Sequence, residues 1–203
     1  MSATMEQSTS PRLSPETRAA QEDSQLMAAA ARGDKDAFSG IVSRHLNAII
    51  QFALRYVGRR ADAEDVAQEA FIRIWKNAAS WQPQGYSVRS WMYRITYNLC
   101  IDELRKRKAT TSIDDEAALA SDDPSDGPDR KLSQAQQQKA VSAALNQLPE
   151  RQRTAISLCV YHSMSNRDAA SVMDISVEAL ESLLSRGRRT LKKDMLKEKG
   201  NEL

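Results

Sequence analysis

An all-helical fold is predicted by three features of this 203-residue sequence. Apolar residues recur at helical spacing through most of the chain, strand-like alternation is almost absent, and Ala, Leu, Gln, Arg and Glu dominate. A stretch rich in Asp, Pro and Gly interrupts the helical pattern once, so the expectation is two small helical domains joined by a flexible acidic linker. The length suits one domain or two small ones, each able to bury a core.

The bulk numbers exclude several functions. With 29 Lys and Arg against 27 Asp and Glu, a net charge of +2 selects no partner, and local charge must do so. Cys100 and Cys159 lie in apolar helical contexts without CxxC spacing, which fits a reducing cytosol. No apolar run approaches the ~20 residues needed to cross a membrane, and the opening residues lack a signal-peptide core. The two histidines, His45 and His162, have no paired ligand spacing, so neither a metal site nor a cofactor is expected.

Residues 1–22 are polar, carry Pro11 and Pro15, and read as a disordered tail. Helical patterning then runs from about Ser24 to Lys108, giving a first domain at 23–108. Asp34 is placed to cap a helix bearing Ala37, Phe38, Ile41, Val42, Leu46, Ile49, Ala53 and Val57, which stops near Gly58. Asp62 and Asp65 resemble an acidic capping box for the next helix. Its core face is Ala63, Val66, Ala67, Ala70, Phe71, Ile74, Trp75 and Ala78. Asp65, Gln68, Glu69, Ile72 and Arg73 lie opposite, with Ile72 set among charges as an anchor in a polar-rimmed protein interface would be. Trp81–Gly85 makes a turn.

The segment SVRSWMYRITYNLCIDELRKRK, from Ser87, has two apolar faces. Trp91, Met92, Ile95 and Leu99 form one, and Tyr93, Tyr97, Cys100, Ile101 and Leu104 form the other. Arg94, Asn98, Asp102 and Arg105 run between them, and the helix ends in a basic run. The residues alone leave two readings open. Either both faces are core beneath a solvated basic end, or the aromatic face meets unpaired nucleic acid, stacking bases beside cations that meet phosphates.

Residues 109–131 form the acidic linker, and 132–198 the second domain. There Pro149 suits the first turn of a helix. Ser165 with Asp168 caps a short helix at Asn166–Met173, Asp174 stands in the turn, and Ser176 caps a longer helix. Val177, Leu180, Leu183, Leu184 and Leu191 share one face of that helix, and Glu178, Ser182, Ser185, Arg186 and Arg189 share the other. A short helix, a tight turn and a helix with a polar, basic outer face make the helix-turn-helix plan, whose second helix enters the DNA major groove.

Four segments, GDKDAFSGIVSRH from Gly33, DAEDVAQEAFIRIWKNAASW from Asp62, the Ser87 segment, and LPERQRTAISLCVYHSMSNRDAASVMDISVEALESLLSRGRRTLKK from Leu148, carry a resemblance. In order and spacing they resemble the extracytoplasmic-function (ECF) sigma factors of bacterial RNA polymerase, in the sigma-70 superfamily. The resemblance implies a sigma-2 helical bundle followed by a sigma-4 helix-turn-helix, a cytoplasmic protein that is no enzyme, and no cofactor. Its implied partners are core RNA polymerase (the clamp helices of the largest subunit and the flap of the second), promoter DNA, and an anti-sigma factor. Carried over by motif, Asp65, Gln68, Glu69, Ile72 and Arg73 would dock on polymerase. Tyr93, Arg94, Tyr97, Asn98, Asp102, Arg105, Lys106 and Arg107 would read and melt the −10 element, with Trp91 left to the core. Ser176, Glu178, Ser182, Ser185, Arg186 and Arg189 would read the −35 element. Two departures stand out: Met173-Asp174-Ile175-Ser176 where the family turn runs close to Leu-Gly-Val-Ser, and Tyr161-His162-Ser163-Met164 where an aromatic and acidic stretch is common. A stand-alone helix-turn-helix repressor is the competing reading, and it leaves the Ile72 face and the aromatic helix without a role.

Overall fold

The computed structural model describes residues 14–82, 87–110, 144–145 and 147–200. Residues 1–13 of the expected tail, 83–86 of the expected turn and 111–143, with all but the first two residues of the expected acidic linker, lie outside the described residues. Among the described residues the structure is helical, without strands. The helices are α1 (Pro15–Ala30), α2 (Lys35–Val57), α3 (Arg60–Lys76), α4 (Val88–Thr110), α5 (Glu150–Ile156), α6 (Asn166–Met173) and α7 (Val177–Gly200).

Helices α1 to α4 form the first bundle, around Met27, Ile41, Ile49, Phe52, Ile74 and Met92, all fully buried. Asp34 accepts hydrogen bonds from the Asp36 and Ala37 N–H groups at 3.0 Å, satisfying two of the orphan donors at the start of α2. Gly58 ends α2 at φ 76°, a left-handed conformation costly for a residue with a Cβ.

Two expectations are corrected here. The chain enters α1 at Pro15, inside the segment read as a tail. Ser14 caps it by accepting from the Thr17 N–H at 3.2 Å, and Pro15 costs no hydrogen bond at that position. Asp23 then clips α1 to α2, taking hydrogen bonds from His45 at 2.8 Å and Arg44 at 3.2 Å. Nor does Asp62 cap α3, which begins at Arg60 without a side-chain cap. Its carboxylate is bound instead by Arg107 of α4.

In the second block Pro149 stands just before α5, its carbonyl accepting from the Gln152 and Arg153 N–H groups. After Ile156 the helix widens into a π-turn, Ser157–Tyr161, closed by the His162 N–H on the Ser157 carbonyl at 3.1 Å. The helix-turn-helix follows as expected. Ser165 accepts from the Asp168 N–H at 3.1 Å, Asp174 turns the chain at φ 54°, and Ser176 accepts from the Ala179 N–H at 3.2 Å. Helix α7 crosses α5 at Gly187, where a Cβ would come within 2.7 Å of Ile156 Cδ1. Helix α6 lies against α4, so the two blocks touch.

Candidate nucleic-acid and protein interfaces

Three surfaces gather the residues singled out by sequence. The first is the outer face of α3. Asp65, Gln68, Ile72 and Arg73 are exposed there and Glu69 is half-buried, while Ala63, Val66, Ala67, Ala70, Phe71 and Ile74 turn into the bundle. Glu69 accepts from Arg73 at 2.7 Å, a surface pair that orients both more than it stabilises. Ile72, 40% exposed, borders an apolar groove of about 830 Å³ whose far wall is Phe38, Val42, Leu46 and Ile50 of α2. Lys35, Glu64 and Asp65 line it with charge. Phe38 packs its ring 4.9 Å from Trp75 and so floors the groove.

The α2 wall is a feature the sequence reading missed. It names Phe38, Val42 and Leu46 only among the apolar residues of the helix, and in the fold Leu46 is 39% exposed and the other two are partly buried. A signal was present: positions 38, 42, 46 and 50 form a row spaced by four. That row lies beside the buried set Ile41, Ile49, Phe52 and Tyr56 and makes the stripe wider than one core face requires.

The second surface is α4. Of its polar stripe, Asn98, Asp102 and Arg105 are exposed beside Lys106, with Arg105 4.0 Å from Asp102. The aromatic face is not. Tyr93 is fully buried, its ring 5.0 Å from those of Phe52 and His162, and its hydroxyl is hydrogen-bonded to His162 Nδ1 at 2.9 Å. Tyr97 is half-buried, its ring 5.8 Å from that of Tyr56. Burial raises the pKa of both tyrosines and pushes the Cys100 thiol up to about 12, which makes that thiol inert. Arg94 pairs with Asp174, from the helix-turn-helix turn, at 3.1 Å. In this arrangement, therefore, Tyr93 and much of Tyr97 are withheld from any ligand. Arg107 also has a different place from the one expected of it. It donates to the Val57 carbonyl at 2.6 Å, binds Asp62 and reaches Glu103 at 3.5 Å, and so ties together α2, α3 and α4.

Around Tyr93 lies a seam between the blocks that the sequence reading did not identify. Arg55 donates to His162 Nε2 at 3.2 Å and lies over the Tyr161 ring at 4.2 Å. Arg89 donates to the His162 carbonyl, and Ser90 donates to Asp168 at 2.8 Å. Because a guanidinium only donates, Nε2 must accept, so the ring proton sits on Nδ1 toward Tyr93. Burial, then the charges of Arg55 and Arg89, lower the pKa of His162 to about 3 and keep it neutral.

The third surface is the outer face of α7. Ser176, Glu178, Ser182, Ser185, Arg186 and Arg189 are all exposed, as are Arg188, Lys192 and Lys193, while Leu180 and Leu184 face inward. Backbone N–H at the helix start and the Ser176 hydroxyl hold the Glu178 carboxyl below its usual range. Arg186 donates to Ser182 Oγ at 2.7 Å, which holds its guanidinium along the exposed face. Among the described residues no His, Cys, Asp or Glu group could hold a metal ion, and no helix is long and apolar enough to cross a membrane.

Comparison with known proteins matches residues 41–110 to Sigma-70 region 2 and residues 138–191 to Sigma-70, region 4. The chain is 32% identical to the ECF RNA polymerase sigma factor SigW of Bacillus subtilis (strain 168) over 172 residues, covering 81% of this chain and 91% of SigW. Among solved structures it is similar to CnrH in complex with the cytosolic domain of CnrY, at TM-score 0.65 and 29% identity, covering 86% of this chain and 97% of that one. It is also similar to the sigma factor RpoE of Bartonella quintana, solved with the anti-sigma factor NepR, at TM-score 0.64 and 25% identity, covering 77% and 94%.

Proposed function

The chain belongs to the ECF sigma factors of RNA polymerase, and from that premise we propose that it binds core polymerase and directs it to promoters bearing −35 and −10 elements, opening the DNA at the second. The observation that carries this reading is the pairing, in one chain, of a bare basic helix-turn-helix face with an apolar groove bordered by Ile72. A DNA-binding repressor needs the first and has no use for the second.

The roles follow from the chemistry of each surface. Apolar side chains of the polymerase clamp fill the α2–α3 groove, where Ile72 and Leu46 are the buried anchors and Asp65, Gln68, Glu69 and Arg73 the polar rim. Helix α7 enters the major groove of the −35 duplex. Arg186 and Arg189 are suited to guanine edges or phosphates, Glu178 to a cytosine amine, and Ser176, Ser182 and Ser185 to either. Helix α4 meets the −10 strand. Arg94, Asn98, Asp102, Arg105 and Lys106 hold its backbone and base edges, and stacking on Tyr93 and Tyr97 offsets the few kcal/mol of unstacking a base. The protein performs no bond chemistry, and its contribution is specificity for a polymerase that otherwise grips DNA mainly by phosphates. By analogy with RpoE and NepR, a partner that separates or covers these surfaces would hold it inactive.

Gel filtration with purified core polymerase, followed by permanganate probing of promoter DNA, tests this reading. Co-elution and polymerase-dependent reactivity of thymines near −10 are expected. Failure to co-elute, or protection of a DNA site without polymerase, would replace it with the repressor.

A further inference from the structure

We propose that Ser182 is a positioning residue for −35 recognition: it holds the Arg186 guanidinium so that the end of its fork is offered to a guanine one helical turn nearer the start of α7 than the Arg186 backbone. The inference rests on the reading of α7 as the −35 surface, and it has Ser182 act through Arg186 rather than on a base of its own.

The geometry carries it. Positions 182 and 186 are one turn apart, so their side chains share a face of α7. Arg186 Nη2 donates to Ser182 Oγ at 2.7 Å, and Arg186 Nε donates to the Ser182 carbonyl at 3.3 Å. A guanidinium carries its five N–H donors in one rigid plane. Two bonds to a single residue therefore fix both the direction of the side chain and the roll of that plane. The side edge of the fork, Nε with Nη2, is occupied by Ser182. Its end, Nη1 with the second Nη2 proton, remains, and that pair of parallel donors matches guanine O6 and N7.

The order of charges along the helix favours the same lean. Glu178 and Glu181 precede Arg186, whereas Arg188, Arg189, Lys192 and Lys193 follow it, so the guanidinium is drawn toward the helix start. Neither acid captures it. Glu181 accepts from Asn166 of α6 at 3.2 Å, and Glu178 lies about two turns back. The positions three and four away from Arg186 are Ser182, Leu183, Arg189 and Thr190, none of them a carboxylate. The lean sets the fork among the first turns of α7, the part of a recognition helix that meets base edges.

An exposed pair of this kind adds little to stability. Its effect is on order. An unrestrained arginine must be immobilised as it binds, which weakens binding about twofold to tenfold, and Ser182 removes that cost in advance.

The test uses the full chain assembled with core polymerase, which selects from a pool of randomised duplex DNA. The upstream motif it enriches is then titrated with every single-base variant. Ser182→Ala should lower the preference for guanine at one position by about twofold to tenfold, with helix content and the salt dependence of binding unchanged. Arg186→Ala should remove the preference at that same position, and the double variant should match Arg186→Ala. Ser182→Thr, which keeps the hydroxyl, should restore the wild-type preference. A loss at a different position, a uniform loss across bases, losses that add in the double variant, or an unchanged preference in Ser182→Ala overturns the positioning role. Failure of the sigma-factor reading would show separately and earlier, as a wild type that does not co-elute with core polymerase.

Discussion

Lowering the pH should open the seam through His162, by an amount the structure defines. In the closed arrangement the imidazole titrates at about 3, against an ordinary value of 6.5 once the blocks part and water returns. The open state therefore binds more protons throughout that interval. Closure is unpenalised above pH 6.5 and is lost progressively as pH falls toward 3. At pH 5.5 the open form gains a factor of about 8, or roughly 1.3 kcal/mol, relative to pH 7. The physical cause is that Nε2 accepts from Arg55, so a proton placed there sets donor against donor between two guanidinium groups. The buried carboxyl of Asp23 is raised by burial, but the bonds from His45 and Arg44 outweigh this and hold it low, so it stays ionised at pH 5.5. Scattering profiles of the wild type and of His162→Gln at pH 7.5 and pH 5.5 would measure the effect. The wild type should expand in acid, whereas the amide, which keeps a hydrogen-bonding side chain but does not titrate, should not. Identical profiles for the two proteins would refute the argument.

Three further outcomes follow from the geometry. Arg107→Ala should destabilise the first bundle by about 2 kcal/mol, because it leaves Asp62 with only the exposed Arg59 at 3.8 Å and removes the donor on the Val57 carbonyl; an unchanged urea midpoint would show that the tie is not formed. Ile72→Glu should leave thermal unfolding within about 0.5 kcal/mol of wild type, since the side chain is already 40% exposed. The same variant should weaken co-elution with core polymerase more than about thirtyfold, as the loss of an interface anchor does. Arg186→Ala should cost about tenfold in affinity for upstream promoter duplex while leaving single-strand binding untouched; an equal loss on both would move Arg186 out of the duplex-reading role.

What could be read in the sequence was local. Asp34, Gly58, Ser165, Asp174 and Ser176 act on backbone groups within a few residues of themselves, so composition and spacing suffice to find them, and the helix-turn-helix emerges with its boundaries. The two faces of α4 were also visible, but not what each would meet. A ring that packs and a ring that stacks bases leave the same pattern, and only the fold reveals that Tyr93 finds His162, 69 positions away. Asp62 illustrates the same limit. Its capping signature is real, yet Arg107, 45 residues on, offers the carboxylate a charged partner. Pro15 misled in the opposite direction, since a proline in a polar stretch marks disorder or a helix start, and the Ser14 cap decides between them.

The π-turn at Ser157–Tyr161 bears on how the two blocks are keyed. Such a turn spends five residues where an α-helix spends fewer, and the His162 N–H bonds back to Ser157 as a result. Tightened to α geometry with no change in length, the same residues would carry His162 about 100° further round the helix axis. That rotation alone takes the imidazole out of register with Tyr93 and Arg55, like a key turned in its slot. Protection of the His162 amide against hydrogen exchange reports that this winding is occupied.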